Sequence, residues 1–261
     1  MCFPLIPRCN FHISTLIRSM YTFYNSYELF HPRIIVYLFY KSTEKNKFDF
    51  LTIFIYTEVV KNVLIINGAI GGRAGNTSML LKKIRRMLIK HSNETNSIKV
   101  KVIHLSPSFS WNNVKLSIKK ADCLIFSTGT YWDSWGSPMQ QLFEKMTVLE
   151  GSKYLVGKPA CAIVTMHSVG GKEVCSRILG NLVSLGCMVP PFAGFAYSYA
   201  DHIAHKSRTS GKRLLDDVWH IQDLETLLSN LLKASSVEKP DYQVWNFLDT
   251  SAFDPTTVWL R

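Results

Sequence analysis

The chain has 261 residues, with 47% hydrophobic and 19% charged side chains, a balance that excludes a disordered polyelectrolyte and leaves room for one well-filled domain plus extensions. Its formal charge is +11, which implies attraction to anions and fixes neither fold nor partner. No uninterrupted apolar run reaches membrane-spanning length, and the six cysteines (Cys2, Cys9, Cys123, Cys161, Cys175, Cys187) include no C-x-x-C pair. That usage predicts buried thiols in a reducing, cytoplasmic setting, with no disulfide frame and no metal site.

Residues 1–61 are rich in Tyr and Phe and show no sustained helical or strand period. Arg8, Arg18 and Arg33 precede most acids, yet Glu28, Glu44 and Asp49 and the aromatic content argue against an organelle presequence. The segment reads as a poorly ordered extension, translated upstream of the natural start. From Lys61 onward, short apolar runs alternate with amphipathic segments. Strands are predicted at Val63–Asn67, Ile98–Leu105, Cys123–Ser127, Ala160–Thr165 and Phe192–Tyr197. Helices are predicted at Ser78–Lys90, Trp111–Lys119, Pro138–Val148, Gly171–Leu185 and Val218–Leu232.

Continuously apolar strands 1, 3 and 4 suit the centre of a parallel sheet, whereas Lys99 and Lys101 alternate with Ile98, Val100 and Val102 as at an edge. Five βα units with the second strand at an edge predict a flavodoxin-like α/β/α sandwich, a five-stranded parallel sheet of order 2-1-3-4-5, over residues 62–235. Residues 236–261 would form a tail. Helix Ser78–Lys90 is read with Met79, Leu80, Ile84, Met87 and Leu88 inside and Lys82, Lys83, Arg85 and Arg86 in solvent. A solvated face is the favoured reading of that charge, and no nucleic-acid partner is expected from it.

In this topology the loops at the carboxyl ends of strands 1, 3 and 4 carry the ligand. Loop one, Asn67 to Thr77, is rich in glycine and opens a helix, the arrangement that turns free backbone N–H groups on a phosphate. It is neither a P-loop nor G-x-G-x-x-G. Asn76 and Thr77 are of N-cap type. Loop two, Ser127 to Pro138, holds Tyr131, Trp132 and Trp135 among polar residues, enough to shield a planar ring or, alternatively, to close a sheet edge or a subunit contact. Ser137 reads as a cap before Pro138 in the first turn. Loop three, Thr165 to Glu173, pairs Gly170 with Gly171 before a helix whose N-terminus can stabilise an electron-rich carbonyl.

The three loops, in this order and spacing, resemble the flavin loops of the flavodoxin-like NAD(P)H-dependent FMN reductase and quinone reductase family. Gly68, Arg73, Gly75, Asn76 and Thr77 match the family's first loop, with Ala69 where a serine usually stands. Gly129 stands in place of the proline of Pro-x-Tyr before Tyr131, and Gly170 with Gly171 match the third loop. The resemblance implies a homodimeric oxidoreductase that takes a hydride from NAD(P)H through bound FMN to a quinone, flavin or similar acceptor. It implies that Gly68, Ala69, Arg73, Gly75, Asn76, Thr77 and Ser78 hold the phosphate. Thr128, Gly129, Thr130, Tyr131, Trp132 and Asp133 would line the ring, and His167, Ser168, Gly170 and Gly171 would bond its pyrimidine side. Tyr131 or His167 would assist protonation of the product. Two rivals share the fold: an electron carrier without a nicotinamide site, and an interaction protein that has lost FMN.

Overall fold

The computed structural model describes residues 33–41, 50–93, 96–200, 203 and 220–244, and the chain divides into two compact units, 1–59 and 60–261. In the first unit, β1 (Arg33–Lys41) pairs antiparallel with the leading part of β2 (Phe50–Asn67), from Arg33 opposite Glu58 to Lys41 opposite Phe50. Strand structure therefore occurs where the sequence shows no sustained period. Much of both segments is apolar or aromatic on successive residues, so a two-residue alternation is hidden.

The second unit is built on the Val63–Asn67 portion of β2 with β3 (Asn96–His104), β4 (Cys123–Gly129), β5 (Ala160–Met166) and β6 (Gly194–Ser198). β2 pairs with β3 on one side and runs parallel to β4 on the other; β4 pairs with β5 and β5 with β6, also parallel. Counted within this unit the order is 2-1-3-4-5, so the fold is flavodoxin-like. The helices are α1 (Asn76–Lys90), α2 (Trp111–Lys120), α3 (Ser137–Met146), α4 (Gly171–Ser184) and α5 (Asp223–Ala234). Residues 218 and 219, predicted within the last helix, lie outside the described residues, as do 245–261 of the predicted tail.

Alternate residues of each strand serve opposite layers. Leu64, Ile66, Leu124, Phe126, Ala162 and Val164 pack against α2, α3 and α4, while Val63, Ile65, Ile125 and Ile163 pack against α1 and α5. The central strands are thus apolar on both faces because both faces are covered. Leu81 takes the buried place on α1, and Met79, assigned inward from the sequence, is 64% exposed. α4 ends in a Schellman turn: Cys187 N–H donates to the Leu182 carbonyl and Gly186 N–H to that of Val183, both at 2.9 Å.

Cys123, Cys161, Cys175 and Cys187 are buried free thiols. Burial pushes Cys175 up to about 11 and Cys123 and Cys187 up to about 12, and raises Cys161 well above the ordinary thiol value, so none is a nucleophile near neutrality. Among the described residues no helix is long and apolar enough to cross a membrane.

Candidate functional site

β2 and β4 end side by side, with Asn67 opposite Ser127, and from there loops one and two leave the sheet together. Gly68 N–H donates to the Ser127 carbonyl at 2.8 Å. A Cβ on Gly68 would lie 2.6 Å from Met139 Cβ, and one on Gly136 would lie 2.7 Å from the Gly68 carbonyl oxygen. Only glycine permits the two loops to approach this closely.

Asn67 organises loop one from beneath. Fully buried, its Oδ1 accepts from Ala69 N–H at 3.1 Å, while Nδ2 donates to the Gly72 carbonyl at 3.1 Å and lies 2.9 Å from His104 Nδ1. Burial and then the nearby Arg73 charge lower the His104 pKa, partly offset by its contact with the Gly72 backbone, so a neutral imidazole can accept the Asn67 proton. Ser106 Oγ adds a bond to the Ile70 carbonyl at 2.7 Å.

The cap of α1 differs from the sequence reading. Gly75 is the N-cap and makes no side-chain cap bond; Asn76 and Thr77 are already helical. The bond from Met79 N–H to the Gly75 carbonyl opens the ladder, so the amides of Asn76, Thr77 and Ser78 precede it without an intrahelical acceptor. Thr77 and Ser78 are buried, while Arg73 and Asn76 are exposed at the same turn. The Thr77 hydroxyl is not turned outward: it meets Thr165 Oγ1 at 2.6 Å, tying α1 to β5.

Loop two likewise divides its residues. Thr128 is buried, accepting from Gly136 N–H at 3.1 Å, and thereby fixes the start of α3; there too a glycine is the cap, and Ser137 is already the first helical residue. Thr130 N–H donates to the Thr165 carbonyl, but Thr130 Oγ1 is buried without a partner. Tyr131 Oη accepts from Ile70 N–H at 3.1 Å, bridging loops one and two. Tyr131 and Ser134 exchange backbone bonds of 2.8 and 3.0 Å around Trp132 and Asp133, whose φ angles are 48° and 54°. That is a two-residue hairpin turn with both central residues left-handed, a geometry normally given to Asn-Gly. Trp132 at its tip is fully exposed.

Trp135 answers to the structural alternative: it packs edge-on to Phe143 at 5.4 Å, and the Arg177 guanidinium lies 4.6 Å from its ring. Arg177 also donates to the Asp133 carbonyl at 3.3 Å. Gly170, the left-handed N-cap of α4 (φ 82°), faces the same turn, and a Cβ there would lie 2.3 Å from Asp133 Oδ1. Loop three therefore meets loop two at Gly170. His167 and Ser168 are exposed; the His167 carbonyl is held by Ala200 N–H at 2.8 Å, and its ring centroid is 6.1 Å from that of Tyr199.

The three loops come together as predicted from sequence. Asn67 and Thr165 bound the predicted loops but were given no role from sequence, and His104, Ser106 and Arg177 lay outside those loops. Asn67 stands at the carboxyl end of an otherwise apolar strand, the one signal that could have marked it. The uncapped amides at α1 suit an anion, and the orphaned Thr130 hydroxyl suits a hydrogen-bonding ring edge, so the site fits a phosphorylated planar cofactor. Among the described residues no group of His, Cys, Asp or Glu is arranged to hold a metal ion.

A family model described as NADPH-dependent FMN reductase matches residues 61–202. No curated protein matches the chain in sequence. Among solved structures, an oxidoreductase from Corynebacterium diphtheriae is similar with a TM-score of 0.53 at 15% identity, over 69% of this chain and 99% of its own. RosB, solved with bound 8-demethyl-8-formylriboflavin-5'-phosphate, gives 0.53 at 16% identity over 67% of this chain and 79% of its own. The apo form of the NADH:FMN oxidoreductase EMOB gives 0.50 at 18% identity over 69% and 92%. At such identities the likeness is one of fold.

Proposed function

Because the chain belongs to the NADPH-dependent FMN reductase family, it is an FMN-dependent oxidoreductase with NAD(P)H as donor, and we propose that its acceptor is a quinone, a free flavin or a similar planar molecule. The observation that carries the reading is the start of α1, where the amides of Asn76, Thr77 and Ser78 have no intrahelical acceptor and lie beside exposed Arg73 under a loop braced by Asn67. FMN, when bound, supplies the hydride-accepting ring and the electron store. The chain's own groups bind, orient and shield.

In this reading the α1 amides and Arg73 hold the phosphate, with Asn76 close by and no help from the hydroxyl lost at Ala69. Thr77 acts through position, since its hydroxyl is spent on Thr165. Thr130 Oγ1 bonds the ring edge, and the N-terminus of α4 faces the ring's carbonyl side. Tyr131 Oη accepts from Ile70 N–H and keeps its own proton to donate toward a reduced product. His167, exposed on loop three, is the second proton carrier of the proposal. The +11 charge favours NADPH, with its additional phosphate, over NADH. Residues 62–235 form the catalytic domain of this reading, which acts as a homodimer in the cytoplasm; the buried free thiols support a reducing compartment.

Steady-state turnover of FMN-loaded protein, with NADPH or NADH against a water-soluble quinone and riboflavin, tests the assignment. Turnover with either acceptor is the expected result. Bound FMN that no nicotinamide reduces would make the chain an electron carrier instead.

A further inference from the structure

Residues 76–121 hold ten lysines and arginines against a single acid, Glu94, so +9 of the chain's +11 sits in fewer than a fifth of its residues. The fold gathers that charge into one edge. α1 presents Lys82, Lys83, Arg85, Arg86 and Lys90 to solvent. Its apolar side shares a core cluster with Ile98, Val100 and Val102 of β3, which leaves Lys99 and Lys101 on the strand's other face. Lys101 Nζ in turn reaches Ser117 Oγ at 2.7 Å, joining β3 to α2, the bearer of Lys115, Lys119 and Lys120. None of the three elements carries an acid, and among the described residues none of these lysines and arginines is in a salt bridge. The sequence alone shows a basic helix face; the topology adds the edge strand and the next helix to it.

We propose that this edge binds the phosphate backbone of nucleic acid without sequence selectivity. A protein partner would want an apolar or aromatic centre to the patch. Here the only exposed large apolar side chains on the three elements are Met79, Ile89 and Leu116, one at a time, and the aromatic Trp111 packs against the core. A membrane surface would want a continuous apolar face for insertion, whereas the apolar side of α1 is buried on the sheet. Polyphosphate needs neither, because counterion release supplies the affinity. With no exposed aromatic ring on these three elements to stack on bases, the contacts are to phosphate, and both single and double strands fit.

The test uses the full chain and fluorescein-labelled 20-nucleotide RNA and duplex DNA, read by anisotropy from 50 to 200 mM KCl. Contacts from Lys82, Lys83, Arg85 and Arg86 to four phosphates predict a slope of log affinity on log salt near about −3.6 on duplex, roughly a hundredfold loss across that range. The variant K82Q/K83Q/R85Q/R86Q should lose most of the slope and at least tenfold in affinity at 50 mM, with its visible flavin spectrum unchanged as the check on folding. K115Q/K119Q/K120Q, on a separate helix, should weaken binding in part and serves if the first variant is unfolded. No binding at 50 mM, an unchanged slope in both variants, or binding to phosphatidylserine vesicles or polyglutamate but to neither nucleic acid would each overturn the proposal.

Discussion

The hydroxyls of Thr77 and Thr165 meet 2.6 Å apart inside the protein, joining the first turn of α1 to the last residues of β5. Thr165 Oγ1 also donates to the Thr128 carbonyl at 3.4 Å, so the proton of the short bond comes from Thr77. This chain of bonds thus ties the first turn of α1 to the ends of β4 and β5, where loops two and three depart. Thr77→Ala should cost about 1–3 kcal/mol of stability by leaving a buried acceptor unpaired, and loosen FMN by displacing the helix end. Asn76→Ala, at an exposed position, should weaken FMN with stability unchanged. Urea denaturation and flavin titration of the two variants check this; equal stability loss in both would contradict it.

Asn67 satisfies loop one with three contacts from a fully buried amide. Asn67→Ala should destabilise the protein by roughly 2–3 kcal/mol, since the Gly72 carbonyl and Ala69 N–H lose their shared partner. FMN affinity should fall at least tenfold. Retained affinity in a folded variant would remove Asn67 from the site.

Trp132 presents its ring from a left-handed turn that disfavours a side chain (φ 48°). Trp132→Gly should therefore be neutral or stabilising, by up to about 1 kcal/mol, while lowering turnover with planar acceptors. Trp132→Ala removes the ring and keeps the strain, so it should share the kinetic loss without the gain in stability. If neither variant changes turnover or flavin fluorescence, Trp132 has no role at the site. Gly170→Ala should be destabilising by about 1 kcal/mol, because the φ of 82° at that position disfavours any side chain.

Lys158 is buried with Nζ donating to the Ile118 carbonyl at 2.5 Å. Burial, then the Lys239 charge, lowers its pKa to about 8, whereas in the unfolded chain it stays protonated to about 10.4. Between those values the unfolded state binds more protons, so this residue's contribution to stability rises with pH. The stability of wild type relative to Lys158→Met should climb from pH 7 to 9.5 in urea titrations. A flat difference would mean that the ammonium is not held out of water.

The five strands of the flavodoxin-like unit were legible as short apolar or alternating runs bounded by turn chemistry, and their order followed from the one strand that alternates with lysine. Gly75 as the cap of α1 was not legible: two better-known cap residues follow it, and the close turn from Gly71, whose carbonyl accepts from Gly75 N–H, sets the helix start. The Trp132–Asp133 turn was hidden for a similar reason, since neither residue signals a left-handed hairpin. Arg177 bonds its Asp133 carbonyl and Gly170 leaves room for the Asp133 side chain, both from loop three's helix. The inward turn of Thr77 depends on Thr165, 88 residues away, a pairing that no local pattern announces. The contact between Asn67 and His104, 37 residues apart, is hidden for the same reason.

The most direct test is a visible absorption spectrum of the protein purified with FMN, recorded before and after anaerobic NADPH. A retained flavin band that bleaches on NADPH, and that Asn67→Ala or Asn76→Ala diminishes, is the predicted result. A wild-type protein that stays colourless after FMN is supplied would contradict the account, because the uncapped amides at the start of α1 would then have no flavin phosphate to serve.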